Sequence, residues 1–217
     1  MAAAEMEFPD EEDMAAEEAA ATESPAHTLS FAKKHPLQYR WVLWFDNPKL
    51  KKAEESWEEN LKQIHTFDTV EDFWCLFNNV VAPTKLSMGS NFHIFKEGVL
   101  PMWEDSTNKD GGKWVLSIPK QRRKSVDLWW MYIVLIMIGE NFEDQGDVCG
   151  VVVSLRKSQD RIALWTKSAL QEKLQMAIGS KIRTGLELPR AIQIKYQSHA
   201  DAYASGSSFQ NKVHYEV

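Results

Sequence analysis

Cysteine is nearly absent from these 217 residues: Cys75 and Cys149 are the only two. A disulfide framework is therefore excluded, no zinc-type Cys/His spacing exists, and a reducing compartment is expected. Long apolar runs are missing too. The longest, Leu128 to Ile138, is too short to cross a bilayer and reads as a buried helix. The first residues show no basic-then-apolar pattern, so no secretory signal is expected. No P-loop, zinc spacing or nucleophile elbow occurs, which removes the commonest phosphoryl-transfer and hydrolase signatures.

Lysine and arginine are absent from residues 1–32, which hold nine acids between Glu5 and Glu23. That segment, rich in alanine and poor in aromatics, reads as an acidic, disordered tail. The formal net charge of −6 thus misrepresents the remainder, where 25 basic side chains face 22 acidic ones. A single mildly basic domain over 33–217 is expected, one that permits an anionic ligand.

Strand patterns occur at 38–45, 64–67, 91–96, 112–119 and 191–197, and the segment 148–166 reads as a hairpin turning around Lys157 to Asp160. The charged stretch between the first two reads as a loop through Asn60. Thr69 with Asp72, and Ser168 with Gln171, have capping-box spacing, and Ser125 opens a third helix. Short strands interrupted by three longer helices predict an α+β domain, an antiparallel sheet covered on one face. The last 20 residues, with Ser205-Gly206-Ser207-Ser208, read as a mobile loop.

Nine tryptophans stand out. Trp41, Trp44, Trp114, Trp129, Trp130 and Trp165 lie in strand or helix patterns and suit a core. Trp57 and Trp103 lie in polar loops, each followed at once by acids (Glu58-Glu59 and Glu104-Asp105). Two loop indoles facing across a slot could stack a flat, positively charged ligand, each ring contributing about 0.5–2 kcal/mol. An ionised carboxylate accepts only, so it selects a base edge with adjacent N–H donors, such as N1–H and N2–H of guanine. Arg156, Lys157 and Arg161 at the hairpin, with Lys113, could meet an anionic end; a solvated basic turn explains the same spacing. Glu104 with Asp105, or His199 with Asp201, could be read as an acid–base pair of an enzyme, but neighbours on a strand point to opposite faces.

The segments HPLQYRWVLWF, SWEENL, FDTVEDFW, PMWEDSTNKDGGKW, IGENF, DVCGVVVSLR, DRIALWT and YQSHAD resemble, in unbroken order over about residues 35–205, the eukaryotic translation initiation factor 4E family of messenger RNA cap-binding proteins. The resemblance implies a cupped-hand fold, a curved antiparallel sheet backed by three helices. It implies that Trp57 and Trp103 sandwich 7-methylguanine, that Glu104 binds N1–H and N2–H, that the Trp103 N–H serves O6, and that Trp165 lies against the N7-methyl group. Arg156 would hold the phosphates, with Arg161 and Lys113 standing where the family usually has lysine and arginine. Ser158 occupies a position often basic in the family.

On the convex face the resemblance implies a helix-in-groove site for a Tyr-x-x-x-x-Leu-hydrophobic peptide of a 4G-type scaffold or a competing repressor. It would use His35, Pro36, Leu37, Val70, Trp74, Leu135 and Gly139. Val70 and Trp74, like Leu135 and Gly139, are four apart and share a helix face. Trp74 read alone suits an amphipathic core. Tyr132 stands where many members have an acid, which implies an altered partner preference. No catalysis, metal or cofactor is implied, and Ser207 is a conceivable phosphorylation site. The expected place of work is the cytoplasm, with the nucleus left open.

Overall fold

The computed structural model describes residues 33–47, 57–206 and 211–217, with Trp57 described in its backbone alone. The acidic segment 1–32, the stretch before Trp57, and Ser207 with Ser208 lie outside the described residues. Residues 35–217 form one compact unit.

Eight strands make one curved antiparallel sheet. They are β1 (Pro36–Asp46), β2 (Lys62–Thr69), β3 (Asn91–Lys96), β4 (Gly112–Pro119), β5 (Val148–Ser154), β6 (Gln159–Thr166), β7 (Ile194–Ser198) and β8 (Tyr215–Glu216). Their spatial order is β2-β1-β3-β5-β6-β4-β7-β8. Three longer helices are α2 (Val70–Asn79), α3 (Val126–Ile138) and α4 (Glu172–Gly185); α1 (Trp57–Asn60) and α5 (His199–Ser205) are short. The α+β reading therefore holds.

Alternation along the strands divides the sheet into two faces. Trp41, Leu43, Phe92, Ile94, Trp114, Leu116, Ile162 and Leu164 join Phe73, Trp130, Ile133 and Ile178 of the three helices in one large core. The opposite face carries a smaller apolar cluster of Phe95, Cys149, Val152 and Trp165, all four from strands. Lys113 and Arg161 alternate with the core residues Trp114 and Ile162 and so fall on that second face.

Several local expectations are corrected. Trp57 to Asn60 form a helical turn rather than loop, closed by the Leu61 N–H on the Glu58 carbonyl at 3.1 Å. Thr69 does cap α2, accepting the Asp72 N–H at 3.1 Å, and its hydroxyl donates to the Asp72 carboxylate at 2.7 Å. Ser125 caps nothing, because a 3-10 turn over Lys120–Ser125 already holds it in helical backbone. Ser168 and Gln171 form no box: α4 starts two residues late, leaving Leu170 outside it at 86% exposure. The Ser168 carbonyl instead accepts from the Gln175 side chain at 3.0 Å.

Among the described residues, the last 20 are not simply a loop. Ser198 caps α5 by accepting the Ala200 N–H, and Gly206 ends it at φ 61°. Ser205-Gly206, read as a loop signal, is thus a helix terminus of the left-handed type that favours glycine. β8 then returns to pair with β7, Tyr196 against Tyr215.

Candidate ligand site on the open sheet face

The loop between β3 and β4 carries Trp103, and its shape is set by two polar side chains. Asp105 accepts the Leu100 N–H at 3.0 Å on one oxygen and the Thr107 N–H at 2.8 Å on the other. Asn108, fully buried, donates to the carbonyls of Leu100 and Met102 at 2.8 and 2.9 Å. None of these bonds uses the Trp103 N–H or the Glu104 carboxylate, and Glu104 is exposed. The two adjacent acids therefore divide their work: Asp105 staples the loop, while Glu104 faces water.

The loop re-enters the sheet through Gly111, where an added Cβ would come within 1.9 Å of the Thr166 carbonyl. Only glycine permits that approach.

Trp103 packs against the smaller apolar cluster. Within that cluster Trp165 is 6% exposed and meets Phe95 edge-on at 5.4 Å. The His199 ring also lies against it, centroids 4.1 Å apart. Burial first, and Lys113 second, push the His199 imidazole down to about 3, so it stands neutral behind the indole. The reading of Trp165 as a core residue is correct for burial, but its core is the small one on the open face.

Three cations follow from the same cluster. Lys113 lies directly across β4 from Trp165. It is 6% exposed, and burial together with Arg161 lowers its ammonium to about 8. Arg161 is four residues from Trp165 on the same face, about 13 Å along β6. Its guanidinium is lowered by burial and then by Arg156. Arg156, on the hairpin loop, is likewise lowered by burial, with Asp46 and Asp160 opposing. Cations that depress one another while half-buried mark a place prepared for negative charge.

The structure thus brings Trp103, Trp165, Lys113 and Arg161 to one face of the sheet, with Arg156 close to Arg161 on the hairpin loop and Glu104 exposed next to Trp103 in its loop. Lys157 and Ser158 are exposed on the hairpin loop. The side chain of Trp57 lies outside the described residues. Asp201 is not paired with His199; its carboxylate accepts from His214 Nε2 at 2.6 Å, so that acid–base pairing does not form.

The other candidate residues lie on the helical side. The His35 N–H and imidazole both meet the Glu71 carboxylate, at 2.9 and 2.7 Å, and the His35 carbonyl accepts the Val70 N–H. Val70 and Trp74 remain over a third exposed on α2, although large and apolar. Leu135 and Tyr132 are half-buried on α3, and Gly139, exposed, caps its end. Leu37 packs on the main core and Pro36 is exposed. Between α2 and α3 lies an apolar cleft of about 400 Å³, lined by Phe73, Phe77, Val80, Leu128, Trp130 and Met131. The sequence pattern did not reveal it, since it requires both helices to be placed.

A family model described as eukaryotic initiation factor 4E matches residues 36–214. The chain belongs to that family. Human eukaryotic translation initiation factor 4E is 45% identical over 193 residues, 87% of this chain and 85% of its own. A solved structure of Ascaris suum eIF4E-3 with an m7G cap is 37% identical with a TM-score of 0.77, covering 85% of this chain and 98% of that one. A complex of C. elegans eIF4E-3 with the 4E-binding protein Mextli and a cap analog is 35% identical with a TM-score of 0.76, covering 85% of this chain and all of that one. The described face with its aromatic cluster and its cations is therefore a face of an initiation factor 4E fold.

Proposed function

We propose that this chain binds the 7-methylguanosine cap of messenger RNA and recruits a 4G-type scaffold to start cap-dependent translation. The observation that carries the reading is the run from the loop of Trp103 and Glu104, past Trp165 and Lys113, to Arg161 and the hairpin-loop Arg156. A cap has the same order: a flat cationic base with a donor edge, then a triphosphate. The cap-bound Ascaris and C. elegans relatives support it.

In this reading Trp57 and Trp103 stack on the two faces of 7-methylguanine, each attracted to its positive charge. The Glu104 carboxylate accepts N1–H and N2–H, and the Trp103 N–H donates to O6. Trp165 lies against the methyl group. Arg156, Arg161 and Lys113 neutralise the phosphates by charge-assisted bonds. Only binding is required, and no metal, cofactor or reacting group enters. Incubation with capped RNA is expected to release no nucleoside product.

On the helical side Val70, Trp74, Leu135 and Gly139, with the His35-Pro36-Leu37 root of β1, receive a Tyr-x-x-x-x-Leu-hydrophobic helix. The Mextli complex of the C. elegans relative supports a binding-protein site in this family. A second reading, a cap-holding repressor that recruits no scaffold, is favoured by Tyr132, an uncharged residue packed on the core beside this site. Deletion of the acidic segment 1–32 is expected to leave cap affinity unchanged. The protein works in the cytoplasm, with the nucleus as a second compartment.

The test is retention of capped over uncapped RNA, followed by addition of a 4G-type peptide. Retention of capped RNA with the peptide supports recruitment. Retention without it supports the repressor, and equal retention of both RNAs contradicts cap binding.

A further inference from the structure

Beneath these cations a buried polar chain links two strands, β1 and β3, to the hairpin loop that carries Arg156. Arg156 Nη2 donates to Asn91 Oδ1 at 2.8 Å. Asn91 Nδ2 donates to both carboxylate oxygens of Asp46, at 2.9 and 3.0 Å. The same carboxylate meets His93 Nε2 at 2.6 Å. All three supporting residues are more than nine-tenths buried. They come from the end of β1 and from alternate positions of β3, so the antiparallel register is what assembles them; Asp46 lies opposite Asn91.

An asparagine side chain has two ends of opposite character, and which end faces Arg156 matters. An arginine carries donors only, so it needs the oxygen. The amide nitrogen must then be taken by an acceptor, and the Asp46 carboxylate supplies one without ambiguity. Asp46 in this way fixes the orientation of Asn91.

The remaining bonds of Arg156 complete the clamp. Its Nη1 donates to the carbonyls of Gly89, Ser90 and Leu155 at 3.2, 3.4 and 3.1 Å. These contacts use both Nη1 hydrogens and one on Nη2. The Nε–H and the second Nη2 hydrogen enter no hydrogen bond among the described residues. A guanidinium so held presents a fixed pair of donors, the arrangement that matches two phosphate oxygens.

We propose that Asp46, with His93 behind it, is a positioning residue for the phosphate arm of the site: through Asn91 it holds the Arg156 guanidinium ready to bind. It touches no ligand itself. The proposal rests on the cap reading given above, and deepens it by separating the phosphate arm from the base arm.

The experiment titrates the full chain with 7-methyl-GTP and with 7-methylguanosine, which lacks phosphates. Asp46→Asn lets the asparagine pair adopt either orientation, so Arg156 can face an amide N–H2 instead of an oxygen. Affinity for 7-methyl-GTP is expected to fall by about tenfold, while 7-methylguanosine changes by less than about twofold. The exchanged pair Asp46→Asn/Asn91→Asp places a carboxylate directly on Arg156, and is expected to restore 7-methyl-GTP binding to within about threefold. Should Asp46→Asn not fold, Asn91→Ala breaks the same link and reads the same split. Equal loss on both ligands, or no loss on either, overturns the relay. A wild-type chain that binds neither ligand overturns the cap reading, and the relay with it.

Discussion

The carboxylate of Asp105 accepts the backbone N–H of Leu100 at 3.0 Å, closing the loop that carries Trp103. With Asn108 tied to the carbonyls of Leu100 and Met102, the loop is shaped without a ligand. Ordering costs are then met in folding rather than in binding. Asp105→Ala is expected to weaken 7-methyl-GTP binding by about tenfold, roughly 1.4 kcal/mol, and to speed amide exchange across 100–110. Unchanged exchange in that segment contradicts the staple.

Lys113 is expected to make cap affinity depend on pH. Its ammonium is held down at about 8 by burial and by Arg161, and a phosphate bound beside it would raise it again. Below pH 8 the lysine is charged with or without ligand, and affinity is flat with respect to this group. Above pH 8 the free protein loses the proton and must regain it on binding, so affinity falls, by up to about tenfold per pH unit. Lys113→Arg keeps its charge, so the lysine's share of the slope disappears; titration of the ligand's own N1–H is common to both proteins. Identical pH profiles for the two contradict a phosphate role.

The same shift acts on stability with the opposite sign. The unfolded chain binds a proton at Lys113 between about pH 8 and the ordinary lysine value that the folded chain does not, so stability rises with pH in that window.

Trp74 is 37% exposed and meets Phe73 and Phe77 at 5.0 and 6.0 Å. Trp74→Ala is expected to reduce affinity for a Tyr-x-x-x-x-Leu-hydrophobic peptide by about 2 kcal/mol or more and to leave 7-methyl-GTP binding unchanged. Calorimetry with the two ligands separates these. Tyr132→Glu supplies a charge for a basic residue of the peptide and is expected to tighten binding; no change in peptide affinity removes the altered-preference reading.

Gly179 reverses the usual expectation for a helix. Alanine is favoured over glycine there by about 1 kcal/mol of propensity. An added Cβ, however, would lie 2.6 Å from the ring of Trp114, which is fully buried against α4. Overpacking of this kind costs roughly 1–3 kcal/mol, so Gly179→Ala is expected to lower Tm. A higher Tm shows that the indole can move aside.

What the sequence disclosed follows the range of the forces involved. Asn91–Lys96 and Gly112–Pro119 were legible to the residue, because alternating apolar side chains and flanking turn residues are local signals. Thr69 was legible as a cap for the same reason. Ser168 was not, because Gln175 reaches back to its carbonyl and to Asp147, and tertiary bonds decided where α4 begins. The C-terminal helix was hidden for a similar cause: His214 reaches Asp201 from beyond the loop.

At the candidate site, Trp103, Glu104 and Arg156 could be named from residue type and neighbours. The different duties of Glu104 and Asp105 could not, since adjacent carboxylates look alike until the loop is folded. Asp46, Asn91 and His93 were illegible for a stronger reason. They are 45 and 47 positions apart along the chain and meet only through the register of β1 with β3.

The central claim is a guanine slot selected by charge and by one carboxylate. Its most direct test is a tryptophan-fluorescence titration of the full chain with 7-methyl-GTP and with GTP, on the wild type and on Glu104→Ala. The account predicts strong quenching by the methylated ligand, much weaker binding of GTP, and a loss in the variant of about 1.5–3 kcal/mol or more, the worth of a charge-assisted bond. Equal weak binding of both ligands, unaffected by the substitution, contradicts it.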